Sequence, residues 1–282
     1  MDASNLDIEH GKFMIPLDLV ASCILGVLIG TVSALLGVGG GFFYVPLLVI
    51  LFGIDPRVAV GTSLAIITFT TLSASLGYSR QGRVLLKSTV CLALPGMVFA
   101  TLGALVTVLI PSKYLIAIFC MVLLFMGIKM VYRQFPLIFP LLCGPCWKDE
   151  SRQTPKDGGE LHAYPVHLMT WGSIAGFMSG LTGIGGGIVN VPALTIAGIP
   201  IHFAVATSTM VIFITSLSGT GTHLFLGHLS LPFFLAFTLG AVVGAQAGVY
   251  LSPKAPQRML EVSVGVLLIT VAVMMILNNI VG

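Results

Sequence analysis

Two glycine runs of one pattern restrict this chain more than any other feature. The first is Gly37-Val38-Gly39-Gly40-Gly41, followed by Phe42, Phe43, Tyr44, Val45 and Pro46. The second is Gly183-Ile184-Gly185-Gly186-Gly187, followed by Ile188, Val189, Asn190, Val191 and Pro192. Each run lies inside a stretch apolar enough to enter a bilayer. Glycine costs a helix interior roughly 1 kcal/mol relative to alanine, and the following proline lacks a backbone donor. A helix broken in lipid exposes N–H groups that have no water to satisfy them. A costly break at two matching places reads as a functional feature.

The rest of the chain fits a bilayer. Hydrophobic residues make up 56% and charged residues 8% of it, against about 25% charged in soluble domains. Apolar segments run over 17–36, 42–52, 58–78, 87–110 and 114–132, then 166–182, 188–199, 203–225, 231–251 and 259–280. A spanning helix needs about 20 residues. Eight of the ten segments reach or approach that length, and the two behind the glycine runs should cross only part-way. The start of the chain carries Asp2, Asp7 and Glu9 and lacks the basic beginning and cleavage site of a signal peptide, so the first apolar segment is expected to be kept as a helix. A net charge of +3, scattered along the chain, gives no footprint for nucleic acid.

The chain is duplicated. Gly37 and Gly183 stand 146 residues apart, and from Gly53-Ile54 and Gly198-Ile199 onward the offset is 145. It then pairs Thr62-Ser63 with Thr207-Ser208, Gly82 with Gly227, Gly103 with Gly248, Pro111 with Pro256 and Lys113 with Arg258. The expected fold is an all-α polytopic membrane protein of two homologous repeats with four or five helices each, broken or re-entrant at the glycine run. The divisions are an N-terminal tail 1–16, a first repeat 17–132, a polar linker 133–165 and a second repeat 166–282. The stretches 80–87 and 129–156 are basic and belong on the cytoplasmic side. In the second half the counterpart of 80–87, Gly227-His228-Leu229-Ser230, has no Lys or Arg, while the next loop holds Lys254 and Arg258. That exchange favours inverted repeats, a transporter design with a site near the midplane.

A helix that begins at mid-membrane offers free N–H groups and the positive end of its dipole, and so binds an anion without a charged side chain. The expected substrate-binding set is Gly39, Gly40, Gly41, Gly185, Gly186 and Gly187, with hydroxyls from Thr62, Ser63, Thr207 and Ser208 and the amide of Asn190. Tyr44 and Gln246 are weaker additions. The competing explanation is close helix packing through small residues, which is the preferred reading for the Gly26/Gly30 and Gly172/Gly176 pairs. Thr and Ser also bond back to their own helix.

The doubled Gly-x-Gly-Gly-Gly run with its Val-Pro, the downstream Thr-Ser pairs and the basic central loop resemble the TauE/SafE family of sulfite and organosulfonate exporters. The resemblance covers all but the tail and linker, and Gly61 against Ala206 is a small departure between the halves. It implies a permease for sulfite, thiosulfate or organosulfonate in the plasma (inner) membrane, with small organic carboxylates as the alternative. Neither cofactor nor metal is expected, and a homodimer is compatible with the chain.

Ionisable residues inside the membrane usually mark coupling sites. Asp18, Glu261, Asp55 and Arg57 fall at segment ends, and His223, at the end of a Thr- and Ser-rich segment, is the best candidate for proton coupling. An anion site built from dipoles can be driven by voltage alone, so export without a coupling ion is expected. Cys23, Cys91 and Cys120 lie in apolar segments, which argues against a disulfide framework. Cys143-Gly144-Pro145-Cys146 has the spacing of a redox dithiol, but no βαβ pattern surrounds it, and only His162 and His167 are near enough to help a metal. A membrane sulfur-handling protein using that pair is the reading from a different class, and a channel is a third. No Ser-His-Asp set, His-Glu-x-x-His or phosphate loop appears, so an enzyme is not expected.

Overall fold

The computed structural model describes residues 16–131, 165–252, 262, 265–266 and 268–276. The Cys143/Cys146 pair, His162, Lys254, Arg258, Glu261, the tail and the linker lie outside the described residues. The described residues are helical with short connections. The helices are α1 (Pro16–Leu36), α2 (Gly41–Pro46, running on as a π-helical turn over Leu47–Leu51), α3 (Pro56–Arg80), α4 (Leu86–Leu109) and α5 (Ser112–Val131). They continue as α6 (Pro165–Thr182), α7 (Gly187–Ile196), α8 (Ile201–Phe225) and α9 (Leu231–Leu251), and residues 268–276 are also helical.

Both glycine runs break the helix. α1 stops at Leu36 and α6 at Thr182, and a new helix starts at Gly41 and at Gly187. Pro46 and Pro192 both lie inside the helices that follow. Pro46 cannot donate to the carbonyl a turn back, and the helix widens to π form directly behind it. At 1.5 Å per residue, the apolar stretches Gly41–Leu51 and Gly187–Ile196 are each roughly 15 Å long, about half the hydrocarbon thickness. Among the described residues, five helices are long and apolar enough to cross a membrane, in α1, α3, α4, α8 and α9. Large apolar side chains such as Leu28, Leu94, Leu109, Leu239 and Val243 stand exposed along them, as lipid-facing positions require. The protein is an integral, multi-pass membrane protein.

Helices from the two ends of the chain interleave. α1 packs along α9, and α4 along α6. Small residues allow this. A Cβ on Gly26 or Gly30 would strike the backbone of Phe237 or Ala241, and one on Gly172 or Gly176 the backbone of Leu92 or Gly96. These two pairs serve helix packing, as their spacing suggested. Contacts advance in the same direction along each pair, from Gly26 at Phe237 to Gly248 at Thr31, and from Gly172 at Leu92 to Gly180 at Ala100, so both pairs are parallel. α3 and α8 cross antiparallel at the centre, with Gly61 against His223, Leu64 against Gly219 and Thr68 bonded to Ser216.

These directions place the ends. The start of α3, the start of α5 and residues 226–230 share one face of the protein, because Arg57 donates to Ile110 O and Gly61 abuts His228. Residues 81–85 and the start of α8 share the other, through the bond from Leu85 N–H to Thr207 Oγ1. Free thiols Cys23, Cys91 and Cys120 lie within helices.

Candidate functional site: the crossing of the glycine runs

The two runs meet. A Cβ on Gly41 would fall on the Gly183 carbonyl, and one on Gly187 would lie 2.5 Å from Val38 Cα and 2.6 Å from Gly37 O. No residue but glycine permits backbones this close. The runs also share a conformation. Gly37, Gly39 and Gly40 have φ of 68°, 91° and 80°, and Gly183, Gly185 and Gly186 have 73°, 91° and 72°. A side chain at these left-handed positions is strained, which is the local reason for three glycines in each run. Ile67 and Ile212, 145 residues apart, close over both breaks, and each has its Cγ2 within 3.4 Å of a Cβ placed on Gly39 or on Gly185.

At the start of α2, Phe43 N–H donates to Gly40 O at 2.9 Å and Tyr44 N–H to the same oxygen at 3.3 Å. At the start of α7, Val189 and Asn190 N–H donate to Gly186 O at 3.0 and 3.1 Å. The amides just ahead, on Gly40, Gly41 and Phe42 and on Gly186, Gly187 and Ile188, are first-turn amides, which have no acceptor within their own helix. Two helix starts thus bring their positive ends to one crossing, each equivalent to about half a unit charge.

Tyr44 and Asn190 occupy matching positions in the two half-helices. Tyr44 is 0% exposed, with its ring edge-on to Phe237, and Asn190 is 1% exposed. Tyr44 Oη and Asn190 Oδ1 are both buried without a hydrogen-bond partner. The neighbouring Thr70 hydroxyl turns back to Ile66 O at 2.7 Å. Ser179 Oγ, also buried and unpartnered, lies in the last turn of α6, whose Ser179 carbonyl accepts from Gly183 N–H. An unmet buried polar group costs about 1–3 kcal/mol, and of these three the Tyr44 and Ser179 hydroxyls can donate to an anion while Asn190 Oδ1 can only accept.

The Thr-Ser pairs are placed differently. Ser63 Oγ donates to Gly183 O at 2.9 Å, and Ser208 Oγ donates to Gly37 O at 2.8 Å. Thr62 Oγ1 accepts from Ser230 N–H at 3.0 Å, and Thr207 Oγ1 accepts from Leu85 N–H at 3.1 Å. All four side chains are fully buried. Each pair therefore holds the opposite glycine run and an opposite loop. Gln246 stands apart from the crossing, donating through Nε2 to Ser73 O at 2.7 Å and Ser73 Oγ at 2.9 Å. His223 is buried, with Nε2 3.2 Å from Gly180 O. Asp55 caps α3, accepting from Arg57 N–H at 2.8 Å.

Sequence reasoning missed Ser179, Ile67 and Ile212. The duplication offset was a usable signal for the isoleucines, since they are a matched pair like the Thr-Ser pairs. One cavity, of about 10 Å³, lies between Val45, Val60, Leu115 and Thr182. Another, of about 380 Å³ and wholly apolar, lies between α1, the α2 region and Val271 and Met274. Neither is lined by a glycine of the runs, and the glycines of both runs are buried.

Comparison with known proteins bears on this geometry. The family model described as "Sulfite exporter TauE/SafE" matches residues 22–275, which include both runs. The chain is 32% identical over 271 residues to the probable membrane transporter protein YunE of Bacillus subtilis, covering 91% of this chain and 97% of that one. It is 27% identical to the probable membrane transporter protein MJ0441 of Methanocaldococcus jannaschii, covering 90% and 94%. It is 28% identical to a probable membrane transporter protein of Haemophilus influenzae, covering 91% and 97%. No solved structure matches. Two broken helices that cross at their glycine runs, in a chain matched over nearly its whole length, identify this protein as a membrane transporter of the sulfite exporter TauE/SafE family.

Proposed function

We propose that this transporter moves small sulfur-containing oxyanions, of the sulfite, thiosulfate or organosulfonate class, and that it holds them at the crossing of the glycine runs. One observation carries the reading. Two half-membrane helices start against each other, and the buried hydroxyls of Tyr44, in the turn after one start, and of Ser179, in the turn before the other break, lack partners. First-turn amides and neutral polar side chains suit a small, compact anion. The buried crossing then opens towards one face at a time, and the antiparallel α3 and α8 form the axis of an inverted repeat. Arg80, Arg83 and Lys87 place the 81–85 face in the cytoplasm, and residues 226–230 at the outer mouth. A membrane potential negative inside drives a bound monoanion outward with about 2.3 kcal/mol per 100 mV. Export is therefore the expected direction, with no catalysis involved.

Flux in proteoliposomes tests this. Labelled sulfite, thiosulfate, a two-carbon sulfonate and a two-carbon carboxylate are compared at a potential set by potassium and valinomycin. Saturable flux of a sulfur anion that rises with the potential is expected. Carboxylate flux at equal or greater kcat/KM would move the substrate class to carboxylates.

A further inference from the structure

At the outer mouth, three buried nitrogens lack partners: His223 Nδ1, His228 Nδ1 and Arg57 Nε. They come from different parts of the chain. His223 is in the last turn of α8, His228 is in the 226–230 connection, and Arg57 is in the first turn of α3. The two imidazole rings stand 5.7 Å apart, tilted by 43°. His223 is 0% exposed. Gly61 makes room for the pair, since a Cβ there would strike the His228 carbonyl and lie 3.0 Å from His223 Cβ. The place is joined to the second glycine run. His223 Nε2 meets Gly180 O, one turn before Gly183, and Ser63, two residues on from Gly61, donates to Gly183 O.

The matching positions of the first half hold different chemistry. The offset of 145 pairs His223 with Tyr78 and His228 with Arg83. Tyr78 Oη donates to Ala34 O at 2.8 Å, as His223 meets Gly180 O, so the tether is kept at both mouths. Only the outer mouth has two imidazoles in place of a phenol and a permanent cation, and only there does glycine, at Gly61, stand where the other half has Ala206.

We propose that His223, His228 and Arg57 form a second binding station for a small oxyanion, at the outer mouth, which holds the anion when the imidazoles are protonated. Arg57 keeps its Nη2 on Ile110 O at 2.8 Å, its Nε is buried without a partner, and it lies close enough to His228 to act on its charge, while each imidazole can bring one N–H through Nδ1. The other charged group facing it is Asp55, whose Oδ1 takes Arg57 N–H and Oδ2 takes Ser112 Oγ at 3.3 Å. α6 brings the Gly180 carbonyl, and the start of α5 adds Lys113 beside Ser112. Burial first, and then Arg57, hold His228 below the ordinary histidine range, against the opposing pull of Asp55. An anion between His228 and Arg57 favours the imidazolium, so anion and proton bind together. Affinity then falls as pH rises, by up to about tenfold per pH unit for one linked proton. The role of the station rests on the oxyanion-transport reading, but its chemistry does not.

The test is imidazole NMR on the ¹⁵N-histidine-labelled full chain in nanodiscs, with the six histidines assigned by His→Gln variants. Sodium sulfate is titrated at pH 5.5 and at pH 8, against sodium chloride of equal ionic strength. Saturable shifts of His223 and His228 at pH 5.5, weakened at least tenfold at pH 8 and absent with chloride, are expected. Signals that follow pH but ignore sulfate, or that shift alike in all six histidines, would overturn the station. Sulfite flux at fixed voltage with varied outer pH is the second readout. His228→Arg, the residue found at the matching position 83, should flatten the pH profile, and a native profile in that variant also overturns the proposal. Flux without an imidazole response removes the station and leaves the transport reading, whereas an imidazole response without flux of any anion supports the station and removes that reading.

Discussion

Adding one methyl group to Gly41 should be more damaging than adding one to Gly53, although only Gly53 has a positive φ of the two. Gly53 has φ 63° and nothing within 4 Å of a new Cβ. Gly53→Ala thus meets only the left-handed penalty, about 1–2 kcal/mol. Gly41 is helical and carries no such penalty, but its Cβ would fall on the Gly183 carbonyl and come within 2.8 Å of Ile184 Cα. Those are backbone atoms, and Ser63 fixes that carbonyl from the other side. Neither can turn away as a side chain would. Overpacking of this kind costs about 3 kcal/mol, the upper end of the usual range. A change of 1 kcal/mol moves the melting temperature of a chain this size by about 2–4 °C. Gly53→Ala should therefore melt about 2–8 °C low, and Gly41→Ala about 6–12 °C low, in detergent-solubilised protein followed by tryptophan fluorescence. Gly187→Ala, against Val38 and Gly37, should follow Gly41→Ala. If Gly41→Ala melts with or above Gly53→Ala, the direct crossing of the runs is refuted.

Other outcomes follow from the same contacts. Ser63→Ala and Ser208→Ala each remove one buried bond to the opposite run, so each should cost about 1–2 kcal/mol, and the double variant about the sum, by melting. Tyr78→Phe should cost about 1 kcal/mol by leaving Ala34 O without its side-chain donor. Gly30→Leu should block the parallel contact of α1 with α9 at Ala241 and cause early elution or aggregation on size exclusion. Replacing both Cys143 and Cys146 by Ser should leave sulfite flux unchanged, and loss of flux would support the sulfur-handling alternative.

What the sequence made legible was local. Glycine and proline act within a turn, so the breaks at Gly37–Gly41 and Gly183–Gly187, and the short helices behind them, could be read directly. The composition made the bilayer legible for the same reason. Partners across the fold were not legible. The Gly26/Gly30 and Gly172/Gly176 spacings announce close packing but not that α1 takes α9 and α4 takes α6. The Thr-Ser pairs were noticed as matched hydroxyls. Their bonds, however, depend on a carbonyl 120 residues from Ser63 and on another 171 residues from Ser208, which no local pattern encodes. Tyr44 and Asn190 were visible as polar residues in apolar segments, while the absence of partners for Tyr44 Oη and Asn190 Oδ1 is a property of the packed structure alone.

The central claim is that the anion sits where the two runs cross, against the unpartnered hydroxyls of Tyr44 and Ser179. Its most direct test is saturable flux of labelled sulfite in proteoliposomes, comparing the native chain with Tyr44→Phe and Ser179→Ala, each first shown to elute and melt like the native protein. The account predicts a KM raised about tenfold or more in each variant, the loss of one hydrogen bond to a charged ligand. Native KM and kcat in both variants would contradict it and place the substrate elsewhere in the protein.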